Sequence, residues 1–150
     1  MAEKSDFVGV WKLVSFAFHA ADGSTSYPYG LEPRGYIIYT ANGYMSVGLM
    51  PSGRPNFESA EMLSGSIEEK AGAADTFLSY CGTYDVEGDQ VVHHIEVSLM
   101  PNWTCAVPAR LTGEGLRAIS GAGLFILKAY KPTLKASSVM PSMRSQKGDE

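Results

Sequence analysis

Apolar and polar residues alternate with a period of two along most of this chain, the pattern of strands that keep one face dry. From Phe7 to Phe18 the run FVGVWKLVSFAF sets Trp11, Leu13 and Ser15 on one side and Val10, Lys12 and Val14 on the other, with Lys12 marking the wet face. Asp22-Gly23 signals a turn, and Tyr27, Pro28, Gly30 and Pro33 keep the next stretch irregular. A hairpin follows: Gly35–Tyr39 and Tyr44–Met50 are β-rich runs joined around Asn42-Gly43, a dipeptide suited to positive φ. After Pro51, Gly53 and Pro55 the period changes. Ser66 with Glu69 three residues on forms a capping box, and Ile67, Ala71, Ala74 and Leu78 give the helix it starts one narrow apolar face. Tyr80–Val86 and Gln90–Leu99 make a second hairpin across Glu87-Gly88-Asp89, and Pro101 ends it. Weaker strands follow at Ala106–Thr112, Gly115–Ser120 and Leu124–Tyr130.

About eight short strands with one helical interruption predict an all-β fold. The expected form is a single closed antiparallel up-and-down barrel, since closure removes exposed edges, with the short helix covering a barrel mouth. A barrel of this size has room for one small ligand. A sandwich without a cavity is the alternative. Residues 1–131 read as the barrel domain and 132–150 as a C-terminal tail, because the composition past Lys131 turns to Lys, Ser, Pro and Met and offers no core.

Composition narrows the function. The chain has 150 residues, with 12 Lys and Arg against 16 Asp and Glu, a formal charge of −4. No Lys/Arg cluster offers an electrostatic footprint for a phosphate backbone, which argues against a nucleic-acid partner. No apolar run is long enough for membrane insertion, and the first six residues lack the apolar core of a signal peptide, so the expected location is cytoplasmic. A homodimer is compatible with this reading. Cys81 and Cys105 fit neither a CxxC pair nor a disulfide framework and read as reduced thiols. Glycosylation at Asn102-Trp103-Thr104 would need a secretory route. Phosphate-binding, dinucleotide, nucleophile-elbow and zinc-protease motifs are all missing, and no cofactor is expected.

Candidate chemistry lies at His93 and the tyrosines. Alternation puts Val91, His93, Ile95, Val97 and Leu99 on the apolar face and Val92, His94, Glu96 and Ser98 on the other, so His93 is predicted inside and His94 outside. A buried neutral imidazole can act as general acid or base, or serve as a core histidine bonded to a tyrosine. His94 and Glu96 lack a third ligand, so no metal is expected. Among 8 tyrosines, Tyr39, Tyr80 and Tyr84 share the inward phase, where phenols can orient a ligand oxygen or pack with satisfied hydroxyls. Arg34 and Arg110 could hold a carboxylate or enolate, or close a barrel end by packing across Trp11. Met50, Met62 and Met100 suit an adaptable apolar wall.

These segments, in order, resemble a known family. GVWKLVS at 9–15, Tyr27-Pro28, PRGYIIYT at 33–40 and GYMS at 43–46 are similar to the lipocalin-like domain family of small bacterial and fungal proteins. So are YCGTY at 80–84, VHHIE at 92–96, and Pro101-Asn102-Trp103 followed by Arg110. The resemblance runs over residues 7–112. It departs at LFILKAY, where the family has a Trp- and Arg-rich strand, and at Cys105, where glycine is usual. It implies a calyx-shaped antiparallel barrel. Related small barrels are cofactor-independent cyclases, isomerases or pericyclases in natural-product pathways, and others only carry ligands. Two functions are therefore expected: a cyclase or isomerase acting on a hydrophobic, oxygen-bearing intermediate, or a non-catalytic carrier of such a molecule. A third, a partner-binding barrel, needs no ligand. His93, Tyr80 and Arg110 are the expected catalytic residues. Ser15, Tyr39, Met45, Val47, Tyr84 and Trp103 are expected to contact the ligand.

Overall fold

The computed structural model describes residues 3–61, 64–88, 90–104, 109–112, 115–120 and 123–131, with residues 109–112, 115–120 and 123–128 described through their backbone pairing. The long strands are β1 (Gly9–Ala20), β3 (Pro33–Tyr39), β4 (Tyr44–Pro51), β5 (Leu78–Glu87) and β6 (Gln90–Ser98). They are followed by β7 (Ala109–Thr112), β8 (Gly115–Ser120) and β9 (Gly123–Tyr130), and the two-residue β2 (Thr25–Ser26) pairs with the end of β1. All neighbours are antiparallel, in the order β2-β1-β3-β4-β5-β6-β7-β8-β9. The sheet curls until β9 meets β1, from Ala20↔Gly123 to Lys12↔Tyr130. Alternation explains the interior: Leu13, Ile37, Tyr39, Met45, Val47, Leu49, Tyr80, Tyr84 and Val91 turn inward into one buried cluster, while Lys12, Tyr36, Ile38 and Tyr44 face out. The β3–β4 hairpin turns as expected at Gly43 (φ +89°), where the Thr40 hydroxyl donates to the Tyr44 carbonyl and accepts from the Tyr44 amide.

Two bulges break the alternation, and they correct the strand readings. In β6 the pairing passes from Cys81↔Val97 to Gly82↔Ile95, leaving Glu96 as the extra residue. The phase therefore reverses beyond Ile95: Val97 is 63% exposed and Leu99 39% exposed, where strict alternation placed both inside. In β1 the pairing shifts between Leu13 and Ser15, Val14 lies outside, and Phe16 follows Leu13 into the core with Ser15 half-buried. Gly82 accommodates the bulge. A Cβ there would collide with the His94 carbonyl oxygen and stand 2.9 Å from the Glu96 nitrogen.

A short helix, α1 (Lys4–Phe7), precedes β1, where the sequence pattern had begun the strand at Phe7. It is tied down on several sides. The Trp11 indole donates to the Phe7 carbonyl at 2.7 Å, Lys131 donates to the Asp6 carbonyl at 2.6 Å, and Lys4 pairs with Asp85 at 2.8 Å. Helix α2 (Ile67–Asp75) starts at the expected capping box: Ser66 accepts from the Glu69 amide, and the Glu69 carboxylate accepts from the Ser66 amide. Its expected apolar face is corrected. None of its residues is buried, Ile67 is 82% exposed, and Leu78 belongs to β5. Instead Arg54 ties the helix down by donating to the Ala73 carbonyl at 2.8 Å and stacking 5.5 Å from Phe77. No described helix is long and apolar enough to cross a membrane. Cys105, Met62, Asp89 and the tail at 132–150 lie outside the described residues.

The Gly82 contact predicts the outcome of a paired substitution. Gly82→Ala should lower the unfolding free energy by about 1–3 kcal/mol, because backbone rather than a flexible side chain stands in the way. Gly72→Ala, in open space on α2, should be neutral or stabilising by up to ~1 kcal/mol. Urea denaturation reads both, and a Gly82→Ala midpoint equal to that of the parent would contradict the packing described.

Candidate functional site

Strands β3, β5 and β6 bring three polar side chains together inside the curl of the sheet. Tyr39 and Tyr80 come from the inward phases of β3 and β5, and His93 lies before the β6 bulge, directly across from Tyr84. The Tyr39 hydroxyl is 2.7 Å from His93 Nε2, and the Tyr80 hydroxyl is 3.2 Å from His93 Nδ1. His93 is 1% exposed, while Tyr39 and Tyr80 are 3% and 4% exposed. Tyr84 donates instead to the Thr40 carbonyl at 2.9 Å and meets the Tyr39 ring edge-on, centroids 4.8 Å apart. The surrounding wall is apolar: Ile37, Met45, Val47, Leu49, Val91 and the partly buried Ile95 and Met100.

The two ends of this cluster differ. At the Tyr39 end, Phe7 packs on the Tyr39 ring at 6.3 Å and Lys4 lies 5.5 Å from the Tyr84 centroid. At the Tyr80 end stands Trp103, from the short 3-10 turn Pro101–Trp103, edge-on to Tyr80 at 5.8 Å and 38% exposed.

Of the sequence-predicted residues, the structure thus brings together His93, Tyr39, Tyr80 and Tyr84, with Met45 and Val47 in the same core and Trp103 at its margin. Ser15 stands half-buried at the β1 bulge, and Arg110 pairs through its backbone with Val92 in β7, its side chain lying outside the described residues. Arg34 is exposed and does not close an end over Trp11. Lys131 does, with its ammonium 4.8 Å from the indole centroid. That residue was not singled out in the sequence, and only its position past the last strand could have marked it. His94 is exposed and meets Asp85 at 3.1 Å rather than Glu96. Among the described residues, no three His, Cys, Asp or Glu side chains form a metal-binding group. A separate concavity of about 570 Å³, lined by Lys12, Arg34, Tyr36, Met50 and Phe77 among others, touches the apolar wall at Leu49 and includes none of His93, Tyr39, Tyr80 and Tyr84.

Comparison with known proteins agrees with this architecture. A family model described as a lipocalin-like domain matches residues 8–111. Over 67 residues the chain is 37% identical to the 4'-hydroxy-3'-methoxypropiophenone carrier protein ppsC of Aspergillus oryzae, a match covering 39% of this chain. The chain spans 60% of the length of that relative. No solved structure matches.

Burial decides the charge state of the cluster. It pushes His93 down to about 3, with a smaller contribution from His94, and lifts Tyr39 and Tyr80 above the ordinary phenol range. At pH 7 all three groups are therefore neutral. They can donate and accept hydrogen bonds, whereas charged acid or base forms are costly. The linkage follows. Between the unfolded value near 6.5 and the folded value near 3, the unfolded chain binds the extra proton, and stability falls as pH falls. From pH 6.5 to 5 the loss from His93 should be about 2 kcal/mol, and His93→Gln should remove that slope. Urea titrations at the two pH values check it, and equal slopes for parent and variant would contradict a neutral buried His93.

Proposed function

The chain belongs to the lipocalin-like domain family, and we propose that its curled sheet is a closed calyx that holds one apolar, oxygen-bearing small molecule and carries it unchanged. The observation that carries this reading is the neutral His93 between two phenols within an apolar wall. Small-molecule sites have that composition: mostly apolar lining with a few placed polar groups. The connection after β4 is assigned to one mouth, since its described residues, 52–61 and 64–77, with a Gly- and Pro-containing start and a helix without buried residues, stand outside the sheet. The Aspergillus oryzae relative is named for carrying an aryl ketone, a compound with this balance of flat apolar body and acceptor oxygen. Carriage fits the electrostatics, because neither an imidazolium nor a phenolate is readily formed at the cluster.

A cofactor-independent cyclisation or isomerisation is the second reading. The same hydrogen bonds favour it, since neutral donors aimed at a carbonyl polarise it without proton transfer. One experiment separates the readings. Incubated with 4'-hydroxy-3'-methoxypropiophenone, the protein should show a raised melting temperature that grows with ligand concentration. The recovered ligand should be unchanged in mass and chromatographic retention. Trp103→Ala, at the Tyr80 margin, should weaken binding several-fold. A rearranged product would favour catalysis. Absence of any shift with this and simpler aryl ketones would defeat both.

A further inference from the structure

We infer that Tyr39, His93 and Tyr80 form a one-way hydrogen-bond relay whose free end is the Tyr80 hydroxyl hydrogen, donated to an acceptor oxygen, a ketone carbonyl above all, on an otherwise apolar ligand. This assignment rests on the calyx reading and adds to it the atom that reads the ligand.

The first support is a count of hydrogens. A neutral imidazole offers one N–H and one lone pair, and each phenol offers one O–H. Three hydrogens therefore serve two contacts, Tyr39 with Nε2 and Tyr80 with Nδ1. One phenolic hydrogen is left over in either tautomer. If Tyr39 donates to Nε2, then Nδ1–H donates to Tyr80 and the spare hydrogen is on Tyr80. In the reverse tautomer the spare hydrogen is on Tyr39.

Geometry chooses between them. Both lengths fit an N–H donor, but 3.2 Å is long for an O–H donor and 2.7 Å is not, which favours N–H donation at Tyr80 and O–H donation from Tyr39. Surroundings choose the same way. Tyr39 and Tyr80 are equally buried, but the Tyr39 ring meets Phe7 and Tyr84, whereas the Tyr80 ring meets Trp103, which is 38% exposed. Among the described residues, nothing accepts the Tyr80 hydrogen. A buried donor without an acceptor costs about 1–3 kcal/mol, which a ligand oxygen recovers on binding. Because the Tyr80 oxygen already receives Nδ1–H, what it presents to a ligand is a hydrogen, and the preferred partner is an acceptor such as a ketone.

The test uses propiophenone and propylbenzene, which differ only in the carbonyl. By calorimetric titration the intact chain should bind propiophenone about tenfold more tightly. Tyr80→Phe should bring the two to within about twofold of each other while holding propylbenzene near its original affinity. Equal affinities in the intact chain, or a preference surviving in Tyr80→Phe, would overturn the relay while propylbenzene binding left the calyx reading standing. Binding of neither compound would overturn both. A measurement without substitutions guards against misfolding of the variants: the infrared carbonyl stretch of bound propiophenone should lie below its value in an alkane solvent. A stretch at the alkane value would overturn the assignment.

Discussion

A neutral imidazole can occupy an apolar interior only while both ring nitrogens keep partners, since each orphaned polar atom costs about 1–3 kcal/mol. His93 meets this condition through two phenols borne on different strands, Tyr39 on β3 and Tyr80 on β5, with β4 between them in the sheet. The cluster therefore couples three strands across the interior. A one-residue slip of any of them would turn its side chain to the outer face and leave the others unmatched. Apolar burial alone specifies such a sheet less sharply, because Val, Ile and Leu can exchange places at small cost.

Curvature comes from the bulges. Extra residues in β1 and β6 bend and twist those strands, and β9 can then meet β1. The β6 bulge exposes Val97 and brings the backbone of His94 so close to β5 that only glycine fits at position 82. His93 lies on the near side of that bulge, so its inward phase is continuous with Val91 and independent of the reversal beyond Ile95. Helix α1 completes the Tyr39 end through Phe7 and Lys4, and Lys131, just past β9, ties back to Trp11 and Asp6.

Strand positions, the Gly43 turn, the Ser66 capping box and the inward phase of His93, Tyr39, Tyr80 and Tyr84 were legible in the sequence because each depends on local period or on one side chain's bond to nearby backbone. The exposure of Val97 and Leu99 was not, since a bulge arises from pairing with a strand elsewhere in the chain. Helix α1 was hidden by its length of 4 residues, which shows no period. The partner of Trp11 was sought among arginines within strands, whereas the cation over it comes from Lys131, brought back by the β1–β9 pairing. Alternation could place the phenols beside His93, but which nitrogen each one meets required coordinates.

The account turns on His93 being neutral and protonated on Nδ1, because that tautomer aligns the hydrogen bonds from Tyr39 toward Tyr80. Long-range proton–nitrogen NMR of the imidazole side chains reads this directly. The prediction for His93 at pH 7 is one pyrrole-type resonance at Nδ1 and one pyridine-type resonance at Nε2, both unchanged at pH 5. An imidazolium pattern appearing by pH 5, or the pyridine-type resonance at Nδ1, would contradict it.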